Sequence, residues 1–286
     1  MCPRRLLPGL FCLLIAVTLV SAPARADKRT SRPAAGSSTG DPTIRSNTPV
    51  ESKAIPGGQE HPLREPLKLA AKSRTALAGV KDYSALFIKR ELLGKKLVKQ
   101  VMETKIRHEP FSVYFRYREP EAGREVIFVK GVNRDRLLIH EEGFKSIAGT
   151  VALSQNDPQV TKENRYPITM VGMSALLDTI AGQWEEETKY GDVTVKFYDQ
   201  AKLGEIDCLV AESSHSQPRK EFRFQMTRLY FDKKSDLPIR AEQYGWPKKS
   251  GEQPPLVEEY TYSNLQLNAG LTDRDFDTRN PEYRYR

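Results

Sequence analysis

The stretch Phe111-Ser-Val-Tyr-Phe-Arg-Tyr-Arg118 shows the pattern that decides the fold class. Its odd-numbered positions carry Phe, Val, Phe and Tyr, whereas its even-numbered positions include Arg116 and Arg118. This two-residue period is typical of a β-strand with one face turned towards a core. The preceding segment 98–107 repeats the alternation, so the two segments predict neighbouring strands.

Further predicted strands lie on both sides of these two, separated by turn signals such as Gly94-Lys95 and Lys233-Lys-Ser-Asp236. They are 83–91, 124–130, 136–140, 193–198, 205–212, 221–231, 238–244 and 256–267. Short connections between many alternating strands favour a meandering antiparallel sheet.

Two segments show the helical period instead. Residues 66–80 predict a modest amphipathic helix that starts after Pro66, and a stronger helix is predicted between Ile168 and Lys189. One stripe of the stronger helix carries Met173, Leu177, Ile180 and Trp184. Core packing is the simpler explanation of such a stripe, and contact with a ligand is the alternative. The prediction is a mainly β protein with two helices (α+β), built as a long curved antiparallel sheet or open half-barrel whose concave face the helices cover.

The first 26 residues have the layout of a secretory signal peptide. The basic pair Arg4-Arg5 precedes an apolar run from Leu10 to Val20, and Ala24-Arg-Ala26 supplies small residues at a cleavage site. The run is too short for a helix that crosses a membrane, which needs about 20 apolar residues. We therefore expect an exported protein, periplasmic or extracellular, cleaved after Ala26, with an uncleaved anchor as the alternative.

Residues 27–65 differ in composition from the rest of the chain. None is aromatic, and 18 of the 39 are Gly, Pro, Ser or Thr. Such a segment buries too little apolar area to offset its chain entropy, so it is predicted to be a disordered linker. Residues 66–286 are predicted to form a single half-barrel-like β domain. Its one cysteine, Cys208, lies in a strand-like stretch and is expected to be a buried small residue without a disulfide partner.

Motifs for chemistry are absent from the sequence. It contains no Gly-x-Ser-x-Gly, P-loop, dinucleotide fingerprint or His-Glu-x-x-His. The histidines are scattered, and Asp273-Arg-Asp-Phe-Asp277 lacks the Gly and Glu that a calcium loop requires. The net charge of +8 becomes +5 without the three arginines of the signal peptide, and acids are interleaved with the bases. We therefore predict no enzyme, no metal, no cofactor, no membrane-spanning segment and no nucleic-acid partner.

Several stretches of the chain, spanning about 80–285, resemble a family of exported bacterial proteins, domain of unknown function 1571. They are Asp82-Tyr-Ser-Ala-Leu-Phe-Ile-Lys-Arg-Glu91, Pro110-Phe-Ser-Val-Tyr114, Gly123-Arg-Glu-Val-Ile-Phe-Val-Lys-Gly131, Arg165-Tyr-Pro-Ile-Thr169 and Asp275-Phe-Asp-Thr-Arg-Asn-Pro-Glu-Tyr283. This resemblance implies no established activity.

A looser resemblance concerns architecture and covers about 50 residues. Leu229-Tyr-Phe-Asp-Lys-Lys-Ser-Asp-Leu-Pro-Ile-Arg240 is similar to a strand-turn-strand of periplasmic lipoprotein-localisation carriers. Tyr260-Thr-Tyr-Ser-Asn-Leu-Gln-Leu-Asn268 and Leu271-Thr-Asp-Arg-Asp-Phe276 are similar to the ending of those proteins. The resemblance implies an open half-barrel that shelters acyl chains under a helical lid. It assigns no residue of this chain to acyl contact.

These patterns, together with the resemblance to the carriers, lead to a binding hypothesis, in which a lipid or lipoprotein acyl chain occupies an apolar concavity. The predicted ligand-binding residues are Met102, Ile106, Phe111, Phe115, Met173, Leu177, Ile180, Trp184, Phe224, Met226 and Tyr230. The alternative hypothesis is an envelope interaction or structural module with a fully packed core. A third hypothesis is an enzyme of unrecognised type.

The predicted cleavage is testable by the intact mass of the exported protein. We expect a chain that begins at Asp27, because only Ala24-Arg-Ala26 presents well-formed small residues to the peptidase. A mass that still includes residues 1–26 would contradict the signal-peptide interpretation.

Overall fold

Twelve strands form one antiparallel sheet in the computed structural model, which describes residues 50–51, 60–249 and 251–285. They are β1 (Val50–Glu51), β2 (Asp82–Leu93), β3 (Lys96–Arg107), β4 (Ser112–Glu119), β5 (Glu125–Val129), β6 (Arg136–His140), β7 (Thr150–Ser154), β8 (Thr194–Leu203), β9 (Ile206–Ser214), β10 (Met226–Asp232), β11 (Pro238–Tyr244) and β12 (Leu256–Leu267). The order across the sheet is β1-β8-β9-β10-β11-β12-β2-β3-β4-β5-β6-β7, so the sheet is open rather than closed. The predicted mainly β, open antiparallel architecture is confirmed.

Two meanders make up this sheet. Strands β2 to β7 follow one another in space as they do in the chain, and so do β8 to β12. The last strand joins the two meanders, because β12 pairs with β2 in a register that sets Glu258 opposite Glu91 and Tyr262 opposite Phe87. The two ends of the domain sequence therefore meet in the middle of the sheet.

Three α-helices accompany the sheet: α1 (Arg64–Ala78), α2 (Pro158–Thr161) and α3 (Met173–Glu187). The first helix begins before Pro66, which lies in the first turn, where a missing N–H costs no intrahelical hydrogen bond. Leu63 is fully buried, so residues 60–65 belong to the folded part and not to the linker. The predicted signal peptide and the predicted linker up to residue 59, apart from β1, lie outside the described residues.

Three short elements were not predicted: β7, α2 and β1, which lies within the segment predicted to be a disordered linker. Strand β7 has only five residues, four of them exposed, and α2 is only one turn long. The Asp157-Pro158 pair is nevertheless a helix-start signal, since the Asp157 side chain accepts a hydrogen bond from the Gln159 N–H at 2.8 Å. No helix in the described part of the chain is long and apolar enough to cross a membrane.

Each face of the sheet is covered by a different part of the chain. We call the face beneath α3 the inner face, and the opposite one the outer face. The C-terminal segment returns across the outer face, where Phe276, Tyr283 and Tyr285 pack in one cluster with Tyr114 and Ile127. The Tyr114 and Tyr283 rings stack with their centroids 4.1 Å apart.

The N-terminus of α3 is held on the inner face by two tyrosines of adjacent strands. The Tyr262 hydroxyl accepts a hydrogen bond from the Gly172 N–H at 2.9 Å, and the Tyr83 hydroxyl accepts one from the Met173 N–H at 3.0 Å. Burial raises the pKa of both phenols. Gly172 has φ of +115°, and a β-carbon there would lie 3.2 Å from the Tyr83 hydroxyl, so only glycine fits.

The other end of α3 is attached to β9 and the residue after it. The Trp184 indole N–H donates to the Ser213 hydroxyl at 2.9 Å, and His215 Nε2 lies 3.3 Å from the Glu187 carboxylate. All four side chains are buried. The helix therefore has fixed polar attachments at both ends. Cys208, also on β9, is buried as predicted, and burial raises the pKa of its thiol to about 11.

The tyrosine contacts predict a measurable loss of stability. Tyr83→Phe and Tyr262→Phe each leave one buried helix N–H without its acceptor, which we expect to cost about 1–3 kcal/mol in the free energy of unfolding measured with urea. Tyr230→Phe is the matched control, because this tyrosine is also fully buried and its hydroxyl has no hydrogen-bond partner within the described residues. Losses no larger than that of the control would show that these hydroxyls do not hold the helix.

Candidate ligand-binding cavity

A cavity of about 370 Å³ lies between the inner face of the sheet and α3. Its floor consists of apolar side chains from neighbouring strands, namely Phe87 on β2, Met102 on β3, Phe115 on β4, Val126 on β5 and the partly buried Ile139 on β6. The Phe87 and Phe115 rings stack with their centroids 6.0 Å apart. The sheet thus presents a continuous apolar surface to the cavity.

The roof of the cavity is one face of α3 and the residue before it. Gly172, Ala175, Leu176, Thr179 and Ile180 line it, at the three- and four-residue spacing of a single helical face. Three of the five have short side chains. The helix is held close to the sheet by its ends, and the short side chains between those ends leave space unfilled.

Two exposed apolar side chains mark the opening of the cavity. Val151 on β7 and Met170 before α3 both line the cavity, and they are 39% and 41% exposed. The cavity therefore reaches solvent between the last strand of the sheet and the segment that leads into α3.

The segment 158–172, which we call the strap, closes another side of the cavity through polar contacts. The Arg165 guanidinium donates to the Glu258 carboxylate at 2.7 Å, and the Tyr166 hydroxyl donates to the same carboxylate at 2.9 Å. Burial raises the pKa of the Glu258 carboxyl, although the contacts with Arg165 and Tyr166 act to lower it. Arg165-Tyr166 begins the Arg-Tyr-Pro-Ile-Thr motif, so part of this motif anchors the strap to β12.

A second set of polar contacts extends this attachment across the sheet. Lys89 on β2 donates to Asn164 at 2.5 Å and lies 3.3 Å from Glu91, and its burial lowers the pKa of its ammonium group. Arg124, just before β5, pairs with Glu163 at 2.9 Å. Several charged groups that line the cavity on this side are therefore engaged with the protein itself.

Three of the eleven predicted ligand-binding residues line the cavity: Met102, Phe115 and Ile180. Four others are fully buried in the core around it: Ile106, Met173, Leu177 and Trp184. Phe111 is partly buried beside Phe128, with the ring centroids 6.2 Å apart. Three residues of the predicted helical stripe thus pack in the core, whereas Ile180 and the adjacent face of α3 line the cavity.

The remaining three predicted residues come from the segment 221–231, whose assignment as one strand was wrong. Strand β10 begins only at Met226, so Phe224 lies in the preceding irregular segment. Met226 and Tyr230 lie on the outer face, where Tyr230 is opposite Arg240 and the Arg240 guanidinium is 5.7 Å from its ring centroid. Both faces of the sheet are covered here, so burial does not distinguish the inner face from the outer.

The prediction missed the polar side of the cavity and most of its roof. The roof residues Ala175, Leu176 and Thr179 carry no signal apart from their helical spacing to Ile180. Of the strap, the sequence analysis identified only the motif that begins at Arg165. The contact of Arg165 with Glu258 could not be predicted, because the two residues lie far apart in the sequence. Within the described residues, no group of three or more His, Cys, Asp or Glu side chains is arranged to hold a metal ion.

Comparison with solved structures finds distant similarities. A DUF1329 family protein from Desulfovibrio piger is 14% identical, with 76% of this chain and 98% of that chain covered and a TM-score of 0.36. The lipoprotein LppX from Mycobacterium tuberculosis is 14% identical, with 74% and 97% covered and a TM-score of 0.41. A LolA superfamily protein from Nitrosomonas europaea is 14% identical, with 73% and 96% covered and a TM-score of 0.29.

Comparison with curated protein sequences finds no match. A family model, in contrast, matches residues 80–285, which include β2 to β12, the strap, α3 and the C-terminal segment on the outer face. Because the match covers well over half of the chain, the protein belongs to the family described as protein of unknown function DUF1571.

Proposed function

We propose that this protein is an extracytoplasmic, non-enzymatic binding protein that shelters the apolar chain of a lipid or lipoprotein in its cavity. The observation that carries the proposal is an open cavity of about 370 Å³ with an apolar floor and a largely apolar roof. Ligand pockets of proteins measure about 300–1,000 Å³ and are lined mainly by apolar and aromatic side chains.

The lining favours recognition by burial rather than by specific hydrogen bonds. Lys89, Arg124 and Glu258 already have partners within the protein, so they do not require a ligand group. Each methylene group removed from water contributes about 0.8 kcal/mol. Phe87, Phe115 and Met102 adapt to chains of different shape, because rings are flat and a thioether is flexible. The proposed ligand class is therefore defined by an apolar chain.

Export is part of the proposal and is supported by the predicted signal peptide. A lipid-binding cavity outside the cytoplasm has an evident supply of ligands, because membranes and lipoproteins face that compartment. The mouth at Val151 and Met170 offers entry without separation of any strand pair.

The second candidate is an envelope module that binds no ligand. The fully buried helical stripe of Met173, Leu177 and Trp184 favours it, since these residues pack in the core rather than in a cavity. The open volume beside that stripe favours the first candidate. Native mass spectrometry of the protein purified from the exported fraction distinguishes the two, because a sheltered lipid adds its mass to that of the chain.

A pair of phenylalanine substitutions tests whether the cavity is real. Phe128 and Phe115 are both buried on neighbouring strands, but only Phe115 lines the cavity. Phe128→Ala should cost about 3–5 kcal/mol of unfolding free energy, as in a packed core. Phe115→Ala should cost clearly less in the same urea titration, while weakening uptake of a fluorescent fatty acid. Equal losses, with no probe bound by the parent protein, would favour the structural module.

A second test fills the cavity without removing a core contact. Ala175 points into the cavity from α3, so Ala175→Phe should weaken binding of the fluorescent fatty acid at least about tenfold, equivalent to about 1.4 kcal/mol. Glu185→Phe adds the same ring to an exposed position of the same helix and should leave the affinity unchanged. If both variants bind the probe as the parent does, the probe occupies another surface and the proposed site is wrong.

A further inference from the structure

Strand β7 forms one edge of the sheet in the described part of the chain, and it lacks the features that usually keep an edge strand from pairing. It pairs with β6 on one side and is the last strand on the other side. Its sequence, Thr150-Val-Ala-Leu-Ser154, contains no charge, no proline and no glycine, and four of its five residues are exposed. Edge strands normally carry a charged side chain, a proline or a bulge, because a free edge pairs readily with another strand.

The opposite edge shows the contrast within the same protein. Strand β8 carries Lys196, Asp199 and Lys202, and its pairing with β9 contains an irregularity between Tyr198 and Ala201. The two-residue strand β1 also covers part of its outer side. Among the described residues, features that disfavour pairing with a further strand are therefore present at the β8 edge and lacking at the β7 edge.

The sequence of β7 is complementary to itself in the antiparallel direction. If two copies pair about Ala152, each Val151 lies opposite Leu153 of the second copy, and each Thr150 lies opposite Ser154 of the second copy. Apolar residues then meet apolar ones, hydroxyls meet hydroxyls, and no like charges are brought together. We propose that β7 is a dimerisation edge, which pairs with β7 of a second copy of this chain to continue the sheet across a two-fold axis.

Apolar side chains beside β7 extend the proposed interface. Phe144 and Ile147, in the turn that leads into the strand, are 93% and 81% exposed. Exposed apolar groups clustered at one place favour association, because their removal from water is favourable. Five paired residues form only a small interface, so we expect a concentration-dependent dimer in which these two side chains contribute.

The proposed pairing also has a consequence for the cavity. Val151 and Leu153 line it from β7, so the two cavities of a dimer would lie on the same face of one continued sheet. The dimer does not depend on the proposed ligand, because the pairing involves the edge strand alone.

Sedimentation velocity of the mature exported chain over a range of concentrations tests the proposal. We expect a shift from one chain to two as the concentration rises. Ala152→Lys places two ammonium groups directly opposite each other at the two-fold axis and should raise the dissociation constant at least about tenfold. Ala152→Thr, an uncharged substitution that suits a strand, is the matched control and should preserve the dimer.

Hydrogen exchange locates the contact. The amides of residues 150–154 should gain protection as the concentration rises, whereas those of β8 should not, and Ala152→Lys should abolish the gain. The proposal is overturned if the chain stays monomeric at every concentration or if Ala152→Lys leaves the dimer intact. Open-ended oligomers would also overturn the proposal. When β7 of one copy pairs with β7 of another, neither copy has a free β7 edge left, so the assembly closes at two copies.

Discussion

Two backbone N–H groups at the start of α3 must find acceptors away from water, and this requirement determines where the helix lies. Tyr83 and Tyr262 supply the acceptors from strands β2 and β12, which are adjacent in the sheet. Buried backbone donors are almost always paired in proteins, so the helix cannot move from these hydroxyls without a large cost. Gly172 permits the close approach because it lacks a β-carbon and takes a positive φ.

The space under the helix is a result of this attachment. Hydrogen bonds fix the first end of α3, and the contacts of Trp184 with Ser213 and of Glu187 with His215 fix the other end. The strap is fixed through Arg165 and Asn164. Between the fixed points, Ala175 and Thr179 are too short to reach the sheet. The cavity therefore stays open, because the polar contacts of α3 and the strap would have to break before its apolar walls could meet. An unfilled volume forfeits contacts between its walls, and a ligand would restore them.

Local periodicity predicted most of the sheet and both long helices, because strands with one face on a core and a helix with one buried stripe have clear patterns. It failed where both faces are covered. On β10, Tyr230 and Leu229 are both fully buried although they are neighbours in sequence, so the period of two does not indicate which side is inner. The elements β7 and α2 were missed because a short, largely exposed strand and a single helical turn show little apolar pattern.

The candidate site was less predictable than the fold, for a related reason. Of the predicted ligand-binding residues, Met102, Phe115 and Ile180 line the cavity, and all three belong to strongly patterned elements. The polar contacts of the strap depend on pairs such as Arg165 with Glu258, which no local pattern connects. Tyr283 and Tyr285 cover the outer face of the sheet because the C-terminal segment returns across it. The composition of the strands and of this segment does not indicate that contact.

The pairing of β12 with β2 has a consequence for how the chain reaches its native state. The centre of the sheet contains strands from opposite ends of the domain, so no early part of the chain can complete the central pairing on its own. Such long-range contacts form only after a large loop has closed. The entropy cost of closing the loop comes before the contacts stabilise the chain, which slows folding. A chain threaded through a membrane from its N-terminus would therefore remain incompletely folded until its final strand has emerged. If the chain is exported as proposed, this topology would place the completion of the sheet after translocation.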